Sequence, residues 1–139
     1  AGCHQDCNFC TQVCPTGAIR PLDLAAKRLF HMGLARIDTD TCLPFRKQDR
    51  RECDVCYVEC RQAGYDAIEL REIQIELDPP PPEGMFSELE LIEMSRIRAP
   101  FVKAAACVGC GICQYRCHTR YVVQQQDLDR SAIRVFADG

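Results

Sequence analysis

CVGCGICQYRC, Cys107 to Cys117, is the stretch that decides the fold. Its spacing, C-x2-C-x2-C-x3-C, crowds three thiols into seven residues and carries a fourth onto the turn that follows. Two variants lie upstream. Cys3, Cys7, Cys10 and Cys14 read C-x3-C-x2-C-x3-C-P and contain the string CNFCTQVCPTGAI, Cys7 to Ile19. Cys42, Cys53, Cys56 and Cys60 read C-x10-C-x2-C-x3-C. A short apolar phrase follows each motif: Ala18-Ile19, Ala67-Ile68-Glu69-Leu70, and Ala132-Ile133-Arg134-Val135. The chain is three copies of one unit. ARID, Ala35 to Asp38, precedes the second motif and FVKA, Phe101 to Ala104, precedes the third, so the repeated unit is predicted to be strand, ligand loop, short helix, strand. The first motif lacks a lead-in strand, and that asymmetry predicts a missing upstream segment.

Composition narrows the chemistry. Of 139 residues 12 are cysteine, about 9%, the level at which a short chain is held by cross-links or metals. A chain of this length forms about one domain and has no room for a large enzyme core. Trp is absent, aromatics are 7% and eight residues are Pro, so bound metal is a natural supplement to a thin apolar core. The net charge of −3 gives no basic surplus for nucleic acid. No apolar run approaches the roughly 18 residues of a membrane span, and the first residues lack the pattern of a signal peptide.

Four thiolates round an iron-sulfur cube must converge from different directions. A C-x2-C-x2-C loop curls round the cube and supplies three of them; in two-cluster proteins the fourth Cys reaches across to the other cluster. Competing uses of the thiols fit less well. Disulfides need suitably placed pairs and an oxidising compartment, and C-x2-C neighbours seldom bridge outside redox motifs. Structural zinc uses paired knuckles separated by a dozen or more residues. A thiol redox enzyme needs one low-pKa pair, and nothing distinguishes one pair here.

On the strings CNFCTQVCPTGAI and CVGCGICQYRC the chain resembles the bacterial-type two-cluster ferredoxins. It is similar, more closely, to the polyferredoxin subunits that accompany periplasmic nitrate reductase or methylamine dehydrogenase maturation. That resemblance implies an α+β protein of ferredoxin-like 4Fe-4S modules with short strands and helices. It implies that Cys3, Cys7 and Cys10 hold one cluster closed by Cys60, and that Cys42, Cys53 and Cys56 hold another closed by Cys14. Cys107, Cys110 and Cys113 then hold a third, closed either by Cys117 or from an upstream unit or partner subunit. All twelve thiolates are expected to ligate, giving three 4Fe-4S clusters. Three departures stand out. Cys3 is one residue further from Cys7 than the pattern asks, which leaves His4 as an alternative ligand; the gap between Cys42 and Cys53 is ten residues; and the proline kept at Pro15 is replaced by Arg61 and His118.

DPPPPEG, Asp78 to Gly84, reads as an extended linker. The expected division is therefore a two-cluster module over 1–77, a linker over 78–84 and a module with the third motif over 85–139. A short amphipathic helix is predicted between Leu22 and Met32, stopped by Gly33. His4, His31 and His118 are expected at the surface or donating to cluster sulfur. The basic loop PFRKQDRRE, Pro44 to Glu52, is expected to be solvated, with docking of an acidic partner as the alternative. Leu89, Ile92 and Met94 are expected to pack against a sheet. No nucleophile-base pair or phosphate-binding loop appears, so the expectation is an electron-transfer protein and no enzyme. Clusters along one chain suggest a wire subunit of a larger oxidoreductase whose partners are redox proteins or other subunits; clusters serving as folding staples or as a maturation scaffold are the rival. The resemblance to periplasmic polyferredoxins points toward the periplasm or a membrane-associated complex, with the cytoplasm as the alternative.

Overall fold

The computed structural model describes residues 5–47, 49–77 and 82–137. Cys3, His4 and most of the proline stretch thus lie outside the described residues. The elements in order are α1 (Phe9–Val13), α2 (Leu24–Leu29), β1 (Gly33–Ile37), α3 (Val55–Gln62), β2 (Ile68–Gln74), α4 (Glu88–Met94), β3 (Arg96–Val102), α5 (Ile112–Cys117), a π-helix (His118–Gln124) and β4 (Ile133–Ala137). This is an α+β fold.

Two of the three repeats build the expected unit. β1, the second motif, α3 and β2 form one; β3, the third motif, α5 and β4 form the other. The strand that enters each unit pairs with the strand that leaves the other. β1 runs antiparallel to β4 with Ala35 opposite Val135, and β2 runs antiparallel to β3 with Leu70 opposite Pro100. Isolated two-stranded ribbons are marginal in water. Here both are backed by α3 and α5, which pack against each other between them. The two ladders join residues before the proline stretch to residues after it, so the modules expected over 1–77 and 85–139 share their sheets.

Six of the buried apolar side chains are cysteines: Cys42, Cys56, Cys60, Cys107, Cys113 and Cys117. Around them pack Leu43, Ala63, Tyr65, Ile68, Val108, Leu128 and Ile133. Alternation of the strands delivers these residues, because Ile68 and Ile133 open β2 and β4 on the inward face while the far ends of both strands turn polar or exposed. Phe45 meets Phe101 edge to face with ring centroids 5.6 Å apart, closing one side of the core.

Local signals set the remaining elements. Asp23 caps α2 by accepting from the Ala26 amide at 2.7 Å. The helix ends at Leu29, because Phe30 is already extended, and Gly33 begins β1 instead of stopping the helix. The predicted FVKA strand is shifted upstream: β3 ends at Val102, and Lys103 starts the turn into the ligand loop. Ser87 and Glu90 form a reciprocal capping box on α4. That seven-residue helix does not bury its apolar side chains; Leu89 is 75% exposed, and Ile92 and Met94 are exposed too. The expectation that they pack against a sheet is corrected: a helix this short is held by its cap and its junction with β3, with no sheet face across from it.

Candidate metal centres

The third motif shows how the chain bends round a site. Gly109 and Gly111 both take left-handed backbone, at φ +76° and +81°. Gly109 also lies flat against β1, where a Cβ would stand 2.4 Å from the Gly33 nitrogen. Only glycine permits both the turn and the approach. The loop thereby curls so that Cys107, Cys110 and Cys113 line one narrow cavity. The fourth cysteine on its wall is Cys60, from the last turn of α3.

A second narrow cavity is lined by Cys42, Cys53 and Cys56 of the other unit and by Cys117 from the end of α5. Apolar walls complete each: Ile37, Leu43, Val55, Pro100 and Leu128 here, Ala35, Ile68, Val108 and Val135 there. The ten-residue insertion does not disturb the set. Leu43 and Pro44, directly after Cys42, are buried, and the loop's outer part is fastened by Arg51, which pairs with Asp127, and by Arg50, whose Nε donates to the Arg46 carbonyl at 2.8 Å.

Each cavity therefore holds three thiols from one unit and the fourth from the other. Where the exchange expected between the first and second motifs joins Cys60 to Cys3, Cys7 and Cys10, and Cys14 to Cys42, Cys53 and Cys56, the structure places Cys60 with Cys107, Cys110 and Cys113, and Cys117 with Cys42, Cys53 and Cys56. The reason is the antiparallel packing of α3 on α5. It sets the C-terminal turn of each helix beside the other unit's ligand loop.

Burial governs these thiols. Desolvation pushes Cys42 up to about 12, and the nearby Cys53 and Cys117 add to the rise. Desolvation also lifts Cys113 to about 12, with Cys110 adding. Cys56 is raised for the same reason, by burial first and then by Cys53 and Cys42. Burial raises Cys60, opposed by the Ala67 and Ile68 amides that point at its sulfur. Thiols packed like this carry no negative charge unless a cationic centre joins them, and metal binding deprotonates a thiol outright. Donors suited to ligated sulfur are in place: the Ala35 amide lies 3.4 Å from the Cys107 Sγ, and the Tyr121 hydroxyl lies 3.1 Å from the Cys53 Sγ.

Among the described residues, no three His, Cys, Asp or Glu side chains converge as one metal ion requires. Four thiolates on zinc at about 2.3 Å would have sulfurs only about 3.8 Å apart. Thiols ranged instead round the wall of a cavity suit a polynuclear cluster, and this donor set of four sulfurs with amide and hydroxyl donors fits a 4Fe-4S group.

Three comparisons bear on the kind of protein this is. The chain is 33% identical over 109 residues to the methylamine utilization ferredoxin-type protein MauM of Methylobacillus flagellatus, covering 78% of this chain and 37% of that protein. It is 31% identical over 123 residues to the MauM protein of Paracoccus denitrificans, covering 86% of this chain and 45% of that one. The chain is a distant ferredoxin-type relative. The Methylophilus methylotrophus MauM protein is 30% identical over 109 residues. This ferredoxin-type chain spans less than half the length of those relatives. No protein-family model and no solved structure matches it.

The first motif of the ferredoxin-type chain has a different setting. α1 carries Cys10 and ends where Cys14 turns extended ahead of Pro15, as a residue before proline should. Cys7 and Cys10 are exposed and Cys14 half-buried. The amide of Ile19 and the hydroxyl of Thr16 hold the Cys14 thiol down at about 7. Lys27, buried on α2, donates to the Cys7 carbonyl and ties this segment to the helix. Ala18-Ile19 forms no strand here.

Near the cavities, His31 was expected at the surface or donating to cluster sulfur, and two tyrosines, Tyr65 and Tyr121, escaped the sequence reading. His31, the histidine most distant from any motif, places Nδ1 2.8 Å from the Cys107 carbonyl. Tyr121 lies four residues beyond Cys117, and Tyr65 lies five beyond Cys60 on the wall of the other cavity. For Tyr121 the signal was available: the third motif has His118 where a proline would stand after its fourth cysteine, so the helix runs on and brings the tyrosine inward. Among the described residues no helix is long and apolar enough to cross a membrane.

Proposed function

We propose that the chain carries 4Fe-4S clusters and moves single electrons between redox partners. The carrying observation is the reciprocal pair of four-thiol cavities, Cys42, Cys53, Cys56 and Cys117 in one and Cys60, Cys107, Cys110 and Cys113 in the other. Cys3, Cys7, Cys10 and Cys14 are the remaining ligand set, for a third cluster. When bound, such a group accepts and returns one electron without making or breaking a substrate bond. The chain's own residues do the rest: apolar walls exclude water, amides donate to sulfur, and the interlocked helices hold two sites side by side. Cys53 is the ligand nearest an exit, since it also lines an open cleft with Glu52, Asp54, Leu70 and Arg98.

The ferredoxin-type names of the relatives support this reading, and their assignment to methylamine utilization suggests a redox enzyme of that kind as the partner class. We infer a non-catalytic subunit of a larger oxidoreductase system. A maturation or stapling role is the second reading, favoured by the share of the core that is cysteine. An anaerobic redox titration followed by electron paramagnetic resonance separates the two. Reversible one-electron reduction at potentials reachable with biological donors supports transfer; clusters that cannot be cycled without loss of iron support staples.

A further inference from the structure

The π-helix His118–Gln124 follows α5 without a break, and its wide turns hold Tyr121 in an inward position. Its backbone is pinned from downstream: the amides of Asp127 and Leu128 both donate to the Tyr121 carbonyl, at 2.8 and 3.0 Å. Tyr121 is 7% exposed, on the wall of the cavity that holds Cys42, Cys53, Cys56 and Cys117. Its hydroxyl oxygen is 3.1 Å from the Cys53 Sγ. A thiolate bound to iron has no proton to give, so the hydroxyl must be the donor of that contact.

We infer that Tyr121 is a positioning residue for one cluster: its hydroxyl donates to the Cys53 thiolate and raises the reduction potential of that cluster alone. The inference rests on the assignment of Cys53 as a cluster ligand. Its physical basis is charge. Reduction adds one electron from the titrant, the cluster becomes more negative by one charge, and the phenol proton stays on the Tyr121 oxygen. A hydrogen bond to ligating sulfur is stronger in the more negative state, so it favours reduction. Because Cys53 also lines the open cleft, the tuned ligand lies on the side of the cluster where a partner would approach.

The test uses the full chain, reconstituted anaerobically with iron and sulfide, in an electron paramagnetic resonance redox titration. Tyr121→Phe keeps the ring that fills the wall and removes only the hydroxyl; the expected result is a lower midpoint for one cluster, with the others unmoved and iron content unchanged. Site-specific 3-fluorotyrosine at position 121 keeps the hydroxyl and makes it a stronger donor, and should move the same midpoint upward. A purely structural role cannot produce shifts of opposite sign. Midpoints unmoved in both variants, or moved in the same direction, overturn the inference while leaving the cluster reading intact. A wild-type chain with no cluster signals overturns both.

Discussion

Replacing Gly109 by alanine tests whether the ligand loop owes its shape to close backbone contact. Left-handed backbone costs a residue with a Cβ about 1–2 kcal/mol, and position 109 sits at φ +76°. The added methyl would also stand 2.4 Å from the Gly33 nitrogen and 2.7 Å from its carbonyl carbon. Those atoms belong to β1, which is paired to β4, so neither strand nor loop can yield cheaply. Overpacking of that sort adds about 1–3 kcal/mol, for a total of about 2–5 kcal/mol. Gly111 supplies the control: its φ is +81° but a Cβ at that position would have nothing within 4 Å, so Gly111→Ala should cost only the backbone strain, about 1–2 kcal/mol. The assay is bleaching of the thiolate-iron absorption against denaturant, with iron per chain measured before each run. Gly109→Ala should bleach at distinctly lower denaturant than Gly111→Ala and should arrive short of iron. Equal behaviour of the two variants would refute the contact argument.

Other outcomes follow from the same geometry. Cys60→Ala and Cys117→Ala should each damage the cluster held by the other unit; starting from about twelve iron atoms for three cubes, each variant should lose up to about four, and only Cys117→Ala should abolish the midpoint that responds to Tyr121→Phe. In the metal-free chain Cys14, held down at about 7, should be about half thiolate at pH 7, against about one part in a hundred for an ordinary thiol near 9, so alkylation mapped by peptide mass should label Cys14 first. Its labelling rate should plateau above about pH 8, since the depressed group is already ionised there, while a thiol left at its ordinary value continues to accelerate. Thr16→Val removes one of the hydrogen bonds responsible and should move the half-point of that curve upward. Breaking the surface pair between Arg51 and Asp127 by Arg51→Ala should cost less than about 1 kcal/mol and leave the iron count unchanged, because both side chains face water.

The ligand loops were legible because their chemistry is local. Three thiols at C-x2-C-x2-C, with Gly109 and Gly111 between them, can curl only one way, and Ile68 and Ile133 mark the returning strands by their place after each motif. Partner choice was not legible. The motifs ending at Cys14, Cys60 and Cys117 look alike in sequence, and what selects Cys60 for the Cys107 site is the packing of α3 on α5, fixed by strand pairing between residues about a hundred positions apart in β1 and β4. Leu89, Ile92 and Met94 misled because apolar side chains on a short helix signal a buried face only when something stands opposite them, and here they are exposed. Tyr121 and His31 carry no motif at all; they acquire meaning through the π-helix and through the turn that brings Met32 and Val108 into hydrogen bond at 2.8 Å.

The most direct trial is metal and sulfide analysis of chain purified without oxygen, read together with the spectrum of its dithionite-reduced form. About twelve iron atoms and twelve sulfides per chain, with magnetically interacting signals from two neighbouring clusters, are the expected result. Stoichiometric zinc, or protein that is folded, colourless and free of iron, would contradict the account at its root.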